Sequence, residues 1–347
     1  MKTRRANEPT PDPSSGSGAT ALKRSEGGRE GNSASARGRL LPSFEGDEGG
    51  FSRRSFLKRA GVAALAAAGG MAAVETRAAE SYSKLKPHSG GLIDTNVTLG
   101  RWPFRRLPLD HTPGLVAKLC QHGVTQAWAG SFDAVFQKDI AAANARLATE
   151  CREHGRGVLV PFGSVNPRLP DWEEELRRCH EQHRMPGIRL HPNYHGYKLD
   201  EPALAKLLSL AGERELIVQI AVSLEDERMQ SPLARVADVD LAPLPALRKR
   251  APALRVVLLN GFRSVKGDWL KNLTGAGEVF FDIATVEGVG GIAHLLQQIP
   301  ATQILFGSHA PFFYFESAWL KLKESALTSG QLRAICVDNA RHLRLHS

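Results

Sequence analysis

Residues 92–100 read LIDTNVTLG, a largely apolar run that carries the polar residues Asp94, Asn96 and Thr98 at alternate positions. We interpret this run as the first of eight strands, because the chain beyond it alternates short apolar runs with helical patterns. The predicted strands span residues 92–99, 124–129, 158–165, 187–191, 216–222, 255–259, 278–283 and 303–307. Between them, residues 171–183 and 202–213 repeat apolar side chains at helical spacing, which predicts amphipathic helices.

The predicted strands indicate a barrel of the α/β class. Two of them, within LIVQIAV (216–222) and LRVVLLN (254–260), are apolar on both faces, as buried parallel strands are. Eight strand–helix units with a closing helix near residues 331–345 predict a single (β/α)8 TIM barrel. The alternative is a doubly wound open sheet, which would place a glycine-rich phosphate loop after the first strand. The sequence DTNVTLGRWPF (94–104) is not such a loop.

The amino-terminal part predicts a leader and an export signal rather than a second domain. Residues 1–50 are rich in Gly, Ser, Pro and charged residues, which predicts a disordered leader. Within the predicted signal segment 51–80, SRRSFLK (52–58) resembles the twin-arginine export motif, and cleavage is expected near Ala78 or Ala79. The following AGVAALAAAGGMAAV (60–74) is too short and too weakly apolar for a stable membrane span.

These segments assign residues 81–347 to the barrel and predict an exported protein, periplasmic or otherwise extracytoplasmic. Its expected partners are the twin-arginine export machinery and a small-molecule substrate. The alternative is a chance pair of arginines, Arg53 and Arg54, before an amphipathic helix. The sequence assigns no oligomeric state.

The composition of the chain gives little support to a role in nucleic-acid binding. The formal net charge is +9, of which +5 falls on residues 81–347, where no dense basic cluster is interleaved with aromatic residues. A nucleic-acid partner is therefore not expected, and the basic residues either favour an anionic substrate or form a solvated surface. The four cysteines have neither zinc-finger nor C-x-x-C spacing, and we expect buried free thiols at Cys120, Cys151, Cys179 and Cys336.

Chemistry in a barrel of this type occurs at the carboxyl ends of the strands. In this chain those ends carry polar residues, namely Asp94, Asn96, Thr98, Ser131, Asn166, Arg189, His191, Asn193, His195, Ser223, Glu225, Asn260, Asp282, Glu287, Ser308 and His309. We expect them to form a polar ring around a substrate pocket.

Residues 91–345 resemble the amidohydrolase-related branch of the metal-dependent hydrolase superfamily. The resemblance rests on LIDTNVTLG (92–100), GIRLHPNYHGYKLD (187–200), ILFGSHAPF (304–312) and DNARHLRL (338–345). It implies a TIM barrel that hydrolyses amide, lactone or ester bonds, or that decarboxylates aromatic acids.

The resemblance also implies metal ligands that this chain lacks. Histidines are implied at two positions of strand 1 and at the ends of strands 5 and 6, with an aspartate at the end of strand 8. This chain carries Asn96, Thr98, Ala221, Asn260 and His309 there. A zinc site needs about three protein ligands, whereas amides and hydroxyls are weak donors and a methyl group is none. We expect no metal cofactor, although a rebuilt divalent-metal site at His191, His195 and His309 is the alternative.

Chemistry without a metal ion remains possible with the residues present. We expect His309 to act as a general base and the amides of Asn96 and Asn260 to stabilise an oxyanion. His191 completes the expected catalytic set, and Arg189 is expected to hold a substrate carboxylate. The other expected substrate-binding residues are His195, Asp94, Thr98 and Asn193.

Each expected role has a structural alternative. Arg189 could instead form a salt bridge beneath the mouth, and His191 could bond to backbone groups. The whole protein is then either an exported hydrolase or related decarboxylase, or a catalytically degenerate barrel that binds a ligand or serves as a scaffold.

Overall fold

The computed structural model describes residues 91–345. Eight strands lie in this range, and every pairing between them is parallel. They are β1 (Leu92–Leu99), β2 (Val124–Ser131), β3 (Leu159–Pro161), β4 (Gly187–Leu190), β5 (Ile217–Ala221), β6 (Arg255–Leu259), β7 (Val279–Asp282) and β8 (Ile304–Leu305). The predicted leader 1–50, the predicted signal segment 51–80, and residues 81–90 and 346–347 of the predicted barrel lie outside the described residues.

The helices of the same range follow the strands in alternation. They are α1 (Thr112–Gln121), α2 (Asp133–Phe136), α3 (Ile140–His154), α4 (Trp172–Arg177), α5 (Pro192–His195), α6 (Pro202–Glu213), α7 (Leu244–Arg250), α8 (Gly267–Thr274), α9 (Gly291–Leu295), α10 (Phe315–Glu324), α11 (Ser329–Arg333) and α12 (Asn339–Leu345). Single turns of tighter or wider helix occupy Glu227–Met229, Pro232–Ala234, Gly261–Arg263, Ala301–Gln303, Arg178–Gln182 and Ala334–Asp338.

Two short backbone contacts close the strands into a barrel. The ladders run β1-β2-β3 and β4-β5-β6-β7-β8. Isolated parallel bridges then join Val97 to Ala310 and Gly163 to Ile188, so that each ladder meets the other at both edges. This closure confirms the predicted (β/α)8 barrel.

Of the strands that are shorter than predicted, β3 and β8 differ most, for reasons that lie in the backbone. β3 ends at Pro161, which has no N–H group to donate to a ladder. β8 ends at Leu305 because the Phe306 amide donates to the Ile335 carbonyl oxygen at 2.9 Å, outside the sheet. The predicted helix at 171–183 is likewise divided into α4 and the wide turn Arg178–Gln182.

The core lies between the barrel and its helices. β1, β4, β5, β6 and β7 are buried along their whole length, which is why they are apolar on the face toward the helices. On α6 the predicted stripe is the buried one and consists of Leu204, Leu207, Leu208 and Ala211. Three cysteines are buried free thiols as expected, but Cys120 is exposed, because it lies on the outer face of α1.

Within residues 91–345, no helix has the length and apolar character needed to cross a membrane.

Candidate functional site

Two asparagines and an aspartate meet across the carboxyl end of the barrel. The Asn96 side-chain amide donates to Asn260 Oδ1 at 2.9 Å and to Asp282 Oδ2 at 2.6 Å. The Asn260 backbone amide donates to Asp282 Oδ1 at 2.9 Å. Asn260 holds a left-handed backbone with φ of 58°, a conformation that asparagine tolerates better than most residues. β1, β6 and β7 are thereby joined through side chains at the mouth.

His309 completes this group, which we call the mouth network (Asn96, Asn260, Asp282 and His309). Its Nε2 lies 2.8 Å from the Leu224 carbonyl oxygen, so we assign the ring proton to Nε2. Its Nδ1 lies 3.4 Å from the Asn260 side-chain nitrogen. Burial lowers the pKa of His309 to about 4, so the ring is neutral at neutral pH and Nδ1 can accept a hydrogen bond.

Two carboxylates of the barrel interior have raised proton affinity. Asp94 Oδ1 accepts from the backbone amides of Ser308 at 2.9 Å and Asn96 at 3.1 Å, while Oδ2 has no partner within residues 91–345. Burial raises the pKa of Asp94 to about 7 and that of Asp282 to about 6. Near neutral pH, Asp94 is therefore protonated to a greater extent than Asp282.

Arg189 lies inside the barrel and directs its donors at protein oxygens. Its Nε donates to Gln219 Oε1 at 2.8 Å, and its Nη2 donates to the Trp128 carbonyl oxygen at 3.1 Å. Its Nη1 donates to the Val97 carbonyl oxygen at 2.9 Å and to Thr98 Oγ1 at 3.1 Å. Burial lowers the pKa of Arg189 to about 10, and the group remains a cation. The structure thus shows neither a carboxylate clamp open to substrate nor the salt bridge that was the alternative.

The two histidines of the β4 loop lie beside each other, apart from His309. The ring centroids of His191 and His195 are 5.8 Å apart. His195 Nε2 lies 2.9 Å from the Ala134 carbonyl oxygen, while Nδ1 of each ring has no partner within residues 91–345. Burial lowers the pKa of both histidines. The structure does not bring His191, His195 and His309 together as a rebuilt metal site.

An aromatic cluster, which we call the aromatic cap, covers the mouth. It consists of Trp102, Phe104, Phe132, Phe136, Tyr194 and Phe312. Trp102 is its centre, with ring centroids from 4.9 Å to Phe312 to 6.2 Å to Tyr194. Phe312 in turn stacks on the His309 ring at 5.0 Å. The loops that carry these rings therefore pack over the network.

An ion pair ties the cap to the loop after β5. Arg105 Nη2 lies 2.9 Å from Glu225 Oε1, and the Glu225 side chain is only 3% exposed. The same guanidinium lies over the Phe312 ring at 5.5 Å. Burial raises the pKa of Glu225, although the charge of Arg105 opposes this shift. Arg105 and Glu225 thus hold the β1 loop against the β5 loop.

A polar cavity of about 600 Å³ opens beside the capped mouth. We call it the β5 cavity, and Ser223, Glu225, Asp226, Gln230, Arg235 and Arg263 line part of it. Its wall touches the mouth network, because the Asn260 side chain donates to the Ser223 carbonyl oxygen at 2.8 Å. A neighbouring cavity of about 560 Å³ shares Val236, Ala237 and Asp238 with it and includes Asn193.

The residues at the implied metal position do not fit a divalent cation. The Asn96 side-chain nitrogen points at a carboxylate, and Thr98 Oγ1 accepts from a guanidinium. Ala221 packs in the apolar cluster of the aromatic cap. Within residues 91–345, no three His, Cys, Asp or Glu side chains are grouped so that they could hold a metal ion. At the three substituted positions a cation would meet an amide N–H group, a hydroxyl bonded to a guanidinium and a methyl group, which are weak ligands or none.

Sequence patterns located part of this site. Asn96, His191, Asn260 and His309 were expected to open on one face. Asn260 lies within hydrogen-bonding reach of both Asn96 and His309. Arg105 and Glu225 were not expected as a pair, because each is a charged residue in a loop and its partner is more than a hundred residues away. The roles of the expected catalytic and substrate-binding residues stay predictions.

Comparison with known proteins gives a family and a set of similar folds. A family model described as Amidohydrolase matches residues 104–343. A 5-carboxyvanillate decarboxylase from Sphingomonas paucimobilis shares 14% identity, with a TM-score of 0.61 over 74% of this chain and 99% of that one. A dihydroxybenzoic acid decarboxylase from Polaromonas, with bound manganese, shares 13% identity, with a TM-score of 0.58 over 74% and 97%.

A 4-oxalomesaconate hydratase from Rhodopseudomonas palustris shares 16% identity, with a TM-score of 0.55 over 74% of this chain and 96% of that one. At these identities the likeness shows the fold. A search of curated proteins found no match.

Proposed function

From the fact that this chain belongs to the amidohydrolase family, we propose that it hydrolyses or decarboxylates a small organic molecule without the family's metal site. The observation that carries this proposal is the mouth network, which keeps polar groups where a metal ion would otherwise be held. Hydrolysis of a C–N or C–O bond and decarboxylation are the reactions implied by the resemblance. The similar folds of two decarboxylases and a hydratase support a small organic substrate.

The β5 cavity is the proposed binding site. It reaches Ser223, behind which Asn260 and His309 lie. His309 Nδ1 is a neutral acceptor that can take a proton. The amides of Asn96 and Asn260 donate to Asp282 and to the Ser223 carbonyl oxygen, so they can stabilise a developing oxyanion only by giving up these bonds. Glu225, desolvated at the cavity wall, is a second acid or base available to the same substrate.

The test combines metal analysis with turnover. We expect protein purified without chelator to hold well under one equivalent of zinc, iron or manganese after dialysis. If 2,6-dihydroxybenzoate or 5-carboxyvanillate is consumed, we expect EDTA to leave the rate unchanged and His309→Ala to abolish it. Stoichiometric metal that survives dialysis, or inhibition by EDTA, would return this protein to the metal-dependent members of its family.

A second candidate function is ligand binding without turnover. It is favoured by the position of His309, whose Nε2 is bonded to Leu224 and whose ring is stacked under Phe312. A buried base covered by an aromatic ring has restricted access to substrate. Saturable shifts in the NMR signals of residues lining the β5 cavity, in the absence of any product, would favour this candidate over the enzyme.

We also propose that the protein is exported through the twin-arginine route. The support is the motif SRRSFLK followed by a short, weakly apolar run, both of which lie outside the described residues.

A further inference from the structure

A positive charge contacts the position that the resemblance gives to the second metal ligand of β1. This position is Thr98, and its hydroxyl accepts a hydrogen bond from Arg189 Nη1 at 3.1 Å. The Arg189 residue is only 2% exposed, although its charged end is among the most costly groups to bury. A guanidinium that is buried to this extent needs hydrogen-bond acceptors around it.

That environment is a shell of oxygen atoms from three strands. Val97 and Trp128 contribute backbone carbonyl oxygens from β1 and β2, and Gln219 contributes its side-chain oxygen from β5. Gln219 is itself fixed, because its side-chain nitrogen donates to the Thr95 carbonyl oxygen at 2.8 Å. All of these oxygen atoms are uncharged, so the shell solvates the guanidinium without neutralising it.

β2 leaves space for this group. A Cβ atom added to Gly130 would lie 2.8 Å from Arg189 Nη1 and 2.9 Å from its Cδ, closer than such atoms approach. Glycine at this position therefore makes room for the arginine rather than for a turn, since Gly130 has no positive φ.

Two carboxylates share the buried interior with Arg189. Asp94 and Asp282 are both fully buried there, and the guanidinium lowers the pKa of Asp282 although the two groups make no direct contact. Lys321 lowers the pKa of Asp282 more than Arg189 does, and its ammonium group donates to the Ala284 carbonyl oxygen. Buried carboxylates destabilise a fold unless a cation or hydrogen bonds compensate them.

We propose that the Arg189 guanidinium replaces the divalent cation of this fold. It contacts the ligand position at Thr98 from within a shell of oxygen atoms built for it, and its charge lies in the same buried interior as the Asp282 carboxylate. The position of Arg189 inside the barrel does not depend on whether the proposed reaction takes place.

The charge role is tested with a double-mutant cycle on the full chain. We expect Arg189→Met to lower the thermal midpoint and the free energy of unfolding. We expect the Arg189→Met/Asp282→Asn variant to be more stable than the sum of the two single losses predicts, because the opposite charges are removed together. The control is Arg255→Met, which removes another buried arginine bonded to the carbonyl oxygens of Leu343 and Glu215.

Asp282→Asn should give no such recovery in the Arg255→Met background. Strictly additive losses for Arg189 and Asp282, or an equal recovery with Arg255→Met, would overturn the charge role.

The replacement role is tested with manganese. Asn96→His/Thr98→His restores the two implied ligands of β1, and we expect it to retain no manganese after dialysis. The same pair combined with Arg189→Met should retain manganese and gain thermal stability from it. Manganese retained while Arg189 is present would refute the replacement, as would its absence from a folded triple variant.

Discussion

Hydrogen bonds between side chains link the strands at the mouth of this barrel, where the resemblance implies a metal ion. Asn96 bridges Asn260 and Asp282, and these contacts link three strands. A sequence can show that an amide stands where an imidazole is expected, as it did for Asn96 and Asn260. It could not show the direction of Arg189, because the carbonyl oxygens of Val97 and Trp128 that hold it are common to every residue type.

Asp94 gives a prediction about pH. Burial raises its pKa to about 7, so between that pH and its ordinary value of 3.8 the folded chain binds more protons than the unfolded chain. The free energy of unfolding should therefore fall as pH rises through this window. For a shift of this size the fall is on the order of 4 kcal/mol, at about 1.4 kcal/mol per pKa unit.

Asp94→Asn should remove this fall. Urea unfolding between pH 4 and pH 8 measures it as the difference between the two proteins. Taking the difference cancels the opposite contribution of His309, which destabilises the fold as pH decreases from 6.5 to about 4. The contribution of Asp282 does not cancel fully, because the two carboxylates interact. Identical pH profiles for both proteins would contradict the raised pKa of Asp94.

Gly130 gives a second prediction at this scale. Gly130→Ala should destabilise the barrel by about 1–3 kcal/mol, because its methyl group overlaps the Arg189 guanidinium. The matched control is Gly330→Ala in α11, where a Cβ meets no atom within 4 Å and alanine should be neutral or stabilising. Denaturant unfolding of both variants checks the difference, and equal effects at the two glycines would show that Gly130 does not make room for Arg189.

Among the elements, the loops after the strands differ most from what patterns could predict. The bounds of β1 and β6 follow from their apolar runs, and both match the predicted ones. β8 could not be predicted at its true length, because the Phe306 amide leaves the sheet for a turn thirty residues later in the chain. The aromatic residues near Trp102 and Phe312 were visible in the sequence, but only the fold shows that they pack on one another.

The cap as an element gives a third prediction. Trp102→Ala should cost about 3–5 kcal/mol of stability, because it removes the ring on which the cap packs. Hydrogen exchange should increase in residues 305–311 and 222–225, which lie beneath the cap. Trp269→Ala is the control, because this ring packs against the main core and not in the cap cluster, and it should leave exchange in those segments unchanged. Unchanged protection in the Trp102 variant would mean that the cap does not shield the network.

At the scale of the whole molecule, the barrel is closed by contacts that a sequence pattern cannot contain. Single bridges at Val97–Ala310 and Gly163–Ile188 join the two ladders. The count of eight strand–helix units was enough to predict that such a closure exists, since an open parallel sheet of this size would leave two unpaired edges. It was not enough to predict which residues make it, because the strands on either side are very short.

The fourth prediction concerns the complete chain. Arg53→Lys/Arg54→Lys should leave the protein in the cytoplasm, because the twin-arginine motif is read as a pair of arginines. Cell fractionation with immunoblotting measures this, and a Lys58→Arg variant, which leaves the pair intact, is the control. Unchanged export of the double variant would sink the assignment of a signal.

The oxygen shell around Arg189 also affects how the protein matures. According to our proposal, the central cation is the Arg189 side chain and is therefore present as soon as the chain has been synthesised. The supply of folded protein then follows translation alone, with no competition for scarce ions, no insertion step and no loss of the cation to scavengers in the surroundings. Cells grown without manganese or zinc should contain as much folded protein as cells grown with these ions. The amount of a folded barrel that requires a bound ion should decrease under the same conditions.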